Sequence, residues 1–152
     1  MERILIDGKQ YLVTQAGLID YDSAILKHNK DHKLIAVQVD YCYSFFKFFM
    51  LPSESFYKNN SFGVRKEIET MLDYSANLKS RSPTGPYIHT GSVIYAAYLA
   101  GINMKREAYL SHNVFFAVTP TEEYLQLRLS SKPRYDLLDM DKIFLSYRSS
   151  LR

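Results

Sequence analysis

Apolar positions along the chain fall into blocks of different period, and the polar and breaker residues between them predict the elements. Ile4-Leu5-Ile6 and Tyr11-Leu12-Val13 flank the pair Asp7-Gly8. Two residues that tolerate positive φ between apolar runs predict a tight hairpin, with strands near 2–6 and 9–14. Gly17 breaks that pattern, and Asp20 or Asp22 then caps a short amphipathic piece through Asn29, overlapping a polar turn at Lys27–Lys33. From Leu34 to Met50, β-branched and aromatic residues are dense, with Ile35, Val37, Val39, Tyr41 and Tyr43 alternating against Ala36, Gln38, Asp40, Cys42 and Ser44. This period of two predicts a half-buried strand, running on through Phe45–Met50 with a bulge or returning beside itself, and ended by Pro52.

The period then changes. After a cap at Asn59-Asn60-Ser61, Val64, Ile68, Met71 and Leu72 form one stripe opposite Arg65, Lys66, Glu67, Glu69 and Asp73, which predicts an amphipathic helix to about Leu78. Lys79–Pro86 is rich in breakers and reads as an exposed loop. Thr90–Gly101 contains no charge, opens on a threonine suited to cap a helix and closes on a glycine suited to end one. It predicts a buried central helix over about 91–100, whose Ala96, Ala97 and Ala100 admit close neighbours while Val93, Ile94 and Leu99 fill the space around it. Ile102–Tyr109 alternates weakly, Ser111-His112-Asn113 turns, and Val114–Val118 reads as a buried strand. Thr119-Pro120-Thr121-Glu122 combines a cap, a proline at the first helical position and a glutamate three residues after the cap, predicting a helix to about Leu129. Leu137–Tyr147 reads as a last helix or strand.

Strands first, helices in the middle and a mixture at the end predict an α+β fold: a mostly antiparallel sheet with two or three helices packed on one face. The 152 residues suit a single globular domain, 1–152, able to bury a core without disulfides. Cys42 is the lone cysteine and the first residues lack the apolar core of a secretion signal, so the expected location is cytoplasmic. Gln38, Asp40 and Lys47 argue against a membrane span in the apolar run 34–51.

Candidate chemistry is sparse. His28 and His32 have the four-residue spacing of two ligands on one helical face, but the run is lysine-rich and lacks a third firm ligand, so no metal and no cofactor are expected. Tyr87-Ile88-His89-Thr90-Gly91-Ser92 sets a titratable ring and two hydroxyls at a helix start, where free amides attract anions. His89-Thr90-Gly91 resembles the nicotinamide-binding corner of ADP-ribosyltransferases, a resemblance of three residues that implies a nucleotide-using enzyme centred on His89 as one alternative. Cys42 lies within an apolar run with no paired base, and no serine sits in a nucleophile elbow.

The net charge of +3 is mild for a dedicated nucleic-acid binder, yet basic clusters at Lys27/Lys30/Lys33, Arg65/Lys66 with Lys79/Arg81, Lys105/Arg106 and Arg128/Lys132/Arg134, often with a tyrosine nearby, make nucleic-acid binding the second alternative. Thirteen tyrosines and nine phenylalanines suit contact surfaces as well as cores. The sequence therefore points first to a non-enzymatic protein that binds another protein: a small inhibitor or accessory factor in the style of phage and mobile-element proteins, such as an anti-CRISPR or other anti-defence protein. Tyr41, Phe45, Phe48 and Phe49 are the expected partner surface, or a homodimer seam, and Arg81, His89, Lys105 and Arg106 the expected contacts to an acidic or anionic partner.

Overall fold

The computed structural model describes residues 2–21, 33–74 and 87–129. In chain order these form β1 (Glu2–Ile6), β2 (Lys9–Thr14), β3 (Gly17–Asp20), α1 (Ala36–Phe49), β4 (Met50–Pro52), α2 (Ser61–Tyr74), α3 (Thr90–Leu99), β5 (Met104–Arg106), β6 (Val114–Phe116), β7 (Val118–Pro120) and α4 (Glu122–Leu129). The fold is α+β. All strand pairing is antiparallel and divides into a β1-β2-β3 meander, a β4–β7 pair and a β5–β6 pair. Among the described residues no helix is long and apolar enough to cross a membrane.

Asp7 and Gly8 have φ of 50° and 77°, and Ile6 pairs with Lys9, so the first hairpin turns on two residues in the left-handed region as its sequence demands. Helix α3 is the central element: it packs against α1, α2 and all three strands of the meander. Val93, Ile94, Ala96 and Ala97 are fully buried. Its end follows the expected device, with Gly101 at φ 75°, the Gly101 N–H bonded to Tyr98 O and the Ile102 N–H bonded to Ala97 O, both at 3.0 Å. Leu99 departs from expectation and is half exposed.

The start of α3 differs from the sequence expectation. Thr90 does not cap it; His89 occupies the cap position and contributes no side-chain bond. Gln38 of α1, fully buried, supplies the polar partner instead: its Oε1 accepts from the His89 N–H and the Ser92 hydroxyl, each at 3.0 Å, and its Nε2 donates to Tyr87 O at 3.1 Å. The Gly91 N–H donates to Gln15 O at 3.2 Å. Helix and strand meet so closely there that a Cβ on Gly91 would lie 1.7 Å from the Thr14 carbonyl oxygen.

Residues 36–49 form a helix, which corrects the expected strand. Gln38, Tyr41, Cys42, Phe45, Phe46 and Phe49 are buried, a stripe of helical spacing hidden beneath the period-two alternation of Val37, Val39, Tyr41 and Tyr43. A strand would aim Phe45 and Phe46 at opposite faces. The helix brings both into one aromatic cluster, Phe45 edge-on to Tyr124 at 5.4 Å and Phe46 against Phe116 at 5.2 Å.

Helix α2 begins as predicted, Asn60 Oδ1 accepting the Gly63 N–H at 3.0 Å, with Val64, Ile68 and Met71 inward. Glu67, expected on the polar face, is buried. The expected helix start at Thr119 moves two residues on: Pro120 pairs with Met50 in β7, and Thr121 Oγ1 accepts the Tyr124 N–H at 3.2 Å. The expected strand 114–118 is split at Ala117 into β6 and β7. The short amphipathic piece after Asp22, the His28/His32 pair, the basic loop with Arg81 and the last element at 137–147 lie outside the described residues.

Candidate partner-binding site

The connection between β5 and β6, Glu107–Asn113, is a finger fastened on both flanks and apolar at its tip. The Glu107 N–H donates to Asn113 O at 3.0 Å, continuing the β5–β6 ladder, and the Ser111 N–H donates to Ala108 O at 3.0 Å, closing a four-residue turn. Tyr109 and Leu110 occupy the centre of that turn. Leu110 has φ 64°, in the third position of the turn, where the type II geometry calls for glycine or asparagine. Tyr109 is 87% exposed and Leu110 57% exposed.

Toward the meander, the Leu18 N–H donates to His112 O at 2.9 Å, and His112 Nδ1 lies 2.8 Å from Leu18 O. A carbonyl only accepts, so Nδ1 carries the proton in this contact. Gly17 makes the approach possible: at φ 129° it leaves open a space in which a Cβ would lie 2.4 Å from His112 O. Arg106 Nε donates to Ser111 O at 2.8 Å while its Nη1 reaches Asp20 Oδ1 at 3.0 Å, and its guanidinium stacks over Tyr11 at 5.3 Å. Toward α2, the Ser61 hydroxyl donates to Asn113 Oδ1 at 2.8 Å and accepts the Val114 N–H at 3.1 Å, and Asn60 Nδ2 donates to Glu107 Oε2. The tip is thus carried on a fixed base.

The residues expected from sequence are not gathered at one place. Tyr41, Phe45 and Phe49 lie in the core, with relative exposures of 4%, 0% and 1%, and offer no contact surface in this fold; Phe48 alone of that group is exposed, because the helix turns it away from the stripe. Lys105 and Arg106, neighbours on a strand, point to opposite faces: Lys105 lies over Phe56 at 4.3 Å and Phe115 at 5.7 Å, whereas Arg106 is absorbed in the base of the finger. His89 stands edge-on to Tyr87 at 5.1 Å, and its pKa is lowered, first by burial and then by the charge of Arg65. Arg65 itself sits over Phe62 at 4.5 Å and Tyr87 at 5.5 Å, with Nε 3.3 Å from Glu69 Oε1. Glu69 Oε1 also accepts the Ile88 N–H at 3.2 Å. These contacts hold the approach to α3 in place.

Sequence reasoning missed one polar cluster altogether. Glu67 Oε1 accepts from the hydroxyls of Tyr57 at 2.8 Å and Tyr124 at 3.0 Å, and Oε2 from Asn59 at 3.3 Å, beside a cleft of about 290 Å³ lined also by Lys66 and Thr70. Three donors satisfy the carboxylate, as a buried charge requires. Burial, with a smaller contribution from Glu69, pushes the Cys42 thiol far above its usual range, which makes it an inert core group. Among the described residues no group of three metal-ligating side chains comes together. Comparison with known proteins finds no matching family model, no matching curated protein and no matching solved structure.

Proposed function

We propose that this protein works by binding another protein, with the Glu107–Asn113 finger as its contact. One observation carries the reading: a tyrosine and a leucine project into solvent from a turn whose leucine adopts a conformation that disfavours it, on a base secured from two sides. Strain and exposed apolar surface both oppose folding, so their coincidence at one rigid tip is better accounted for by contact with a partner than by stability. Tyrosine is enriched among residues that dominate binding energy, and a fixed loop loses little entropy when it docks.

The finer proposal is a cytoplasmic, non-enzymatic inhibitor or accessory factor of the phage and mobile-element kind, anti-CRISPR and other anti-defence proteins among them. Its support is the apolar tip that a preformed loop presents for contact. The test compares the tagged full chain with a Tyr109→Ala/Leu110→Asn variant in capture from lysate, one half treated with nuclease and one half untreated. A stoichiometric protein retained by the parent and lost from a variant with an unchanged circular dichroism spectrum is the expected result. Equal retention by both, capture of a second copy of this chain alone, or recovery of RNA or DNA whose binding falls steeply with salt, would each overturn the proposal.

A further inference from the structure

A second feature stands apart from the finger and does not depend on its role. Between the first hairpin and β5 lies a cleft of about 440 Å³, lined by residues that include Leu5, Ile6, Asp7, Phe56, Met104 and Lys105. Its floor is apolar, Ile6 and Met104 being under a tenth exposed, while Leu5 and Phe56 stand at its sides 50% and 40% exposed. The Lys105 ammonium rests on the rings of Phe56 and Phe115, and among the described residues no carboxylate lies within ion-pair distance of it. An unpaired cation beside an apolar cleft is complementary to an apolar ligand that carries negative charge.

The register of the strands adds the backbone. Ile6 and Lys9 close a two-residue hairpin, so Ile6 and Ile4 exchange hydrogen bonds with β2, and the main-chain groups of Leu5 and Arg3 point away from it. β1 is the outer strand of the meander, and among the described residues nothing pairs with that outer edge. On the facing side, the bonds from Glu107 N–H to Asn113 O and from Ala117 N–H to Asn103 O make Lys105 the bonded partner of Phe115, which leaves the main chain of Met104 directed away from β6.

We infer that this cleft is a docking groove for an extended acidic peptide segment of a partner protein, which adds as a strand to the outer edge of β1, seats apolar side chains over Ile6 and Met104 and places a carboxylate at Lys105. The main chain supplies register, the floor supplies apolar contact, and Lys105 selects the charge. Asp7 is the lining carboxylate that opposes such a ligand.

The test titrates the isotope-labelled full chain with four capped octapeptides: one alternating valine and glutamate, one alternating valine and lysine, and two forms of the first, N-methylated on alternate residues in one register or the other. The expected result is amide shifts confined to Leu5, Ile6, Met104, Lys105 and their neighbours. The glutamate peptide should bind at least fivefold more tightly than the lysine peptide, and only one N-methylated register should bind. Lys105→Glu, a surface change, should reverse the charge preference. Asp7→Asn, which keeps a residue suited to the turn, should strengthen binding of the glutamate peptide. No shift, shifts elsewhere, equal binding of the two charges, or indifference to N-methylation would each overturn the inference.

Discussion

Replacing Leu110 by asparagine sets stability against binding, and the two should move in opposite directions. Leucine at φ 64° carries about 1–2 kcal/mol of left-handed strain, which asparagine largely relieves. The side chain is 57% exposed, so roughly two-fifths of its surface is shielded, and losing that contact costs about 0.8 kcal/mol on a scale of about 2 kcal/mol for a fully buried leucine. The net expectation is a gain of about 0–1 kcal/mol, seen as a Tm rise of up to roughly 3 °C for a chain of this length. A leucine packed in a core would instead lose about 3 kcal/mol or more on becoming polar. Thermal and urea denaturation read the stability, and the capture assay reads the partner, whose retention should fall at least tenfold. A stability loss above about 1.5 kcal/mol would refute the reasoning, because it would mean that Leu110 serves the fold and is not held out for a partner.

Four further outcomes follow from the start and end of α3 and from the core. Gly91→Ala places a methyl 1.7 Å from a backbone oxygen that cannot yield cheaply, and should cost about 3 kcal/mol or more in urea denaturation. Gly101→Ala, with nothing within 4 Å but φ 75°, should cost only about 1 kcal/mol, and equal losses at the two sites would contradict the close approach of α3 to β2. Cys42 should resist iodoacetamide at pH 8 in the folded chain and react fully in denaturant; rapid native labelling, followed by mass spectrometry, would show that its surroundings open. The depressed pKa of His89 means that the unfolded chain takes up that proton first as pH falls. Its contribution to stability is complete above the ordinary histidine value of 6.5 and is lost as pH drops from there through the lower folded value, and His89→Gln should flatten that part of the stability profile measured by urea melts.

What could be read from sequence was whatever local backbone chemistry dictates. Asp7-Gly8, the stripe from Val64 to Met71 and the Gly101 stop each act through residues within a turn or two, and each stands where expected. Helix α1 was obscured because Val37, Val39, Tyr41 and Tyr43 satisfy a strand period at the same time as Gln38, Tyr41, Cys42 and Phe45 satisfy a helical one. The choice between them is made by partners remote in sequence, Phe116 and Tyr124, which only a helix can meet with Phe45 and Phe46 together. Gln38 looked like a polar interruption and proves to serve the start of α3. The finger was legible only as a turn, expected at Ser111–Asn113 and found at Ala108–Ser111: that turn lacks the glycine that would announce it, and its anchors join residues 18 to 112 and 61 to 113. Of the anionic contacts expected, Lys105 retains an open charge beside a cleft, whereas Arg106 is spent on Asp20.

The carboxylate of Glu67 joins Tyr57 and Asn59, its own helix and Tyr124 of α4 at one point, and Tyr124 also closes the ring cluster around Phe45 and Phe49. During synthesis, then, the aromatic side of α1 waits for residues some eighty positions downstream before it is covered. A nascent chain halted before Tyr124 presents a greasy helix flank and an acidic group without one of its three donors, a state prone to self-association and attractive to chaperones. Covering this flank of α1 is therefore a late step of chain growth, tied to the arrival of one tyrosine.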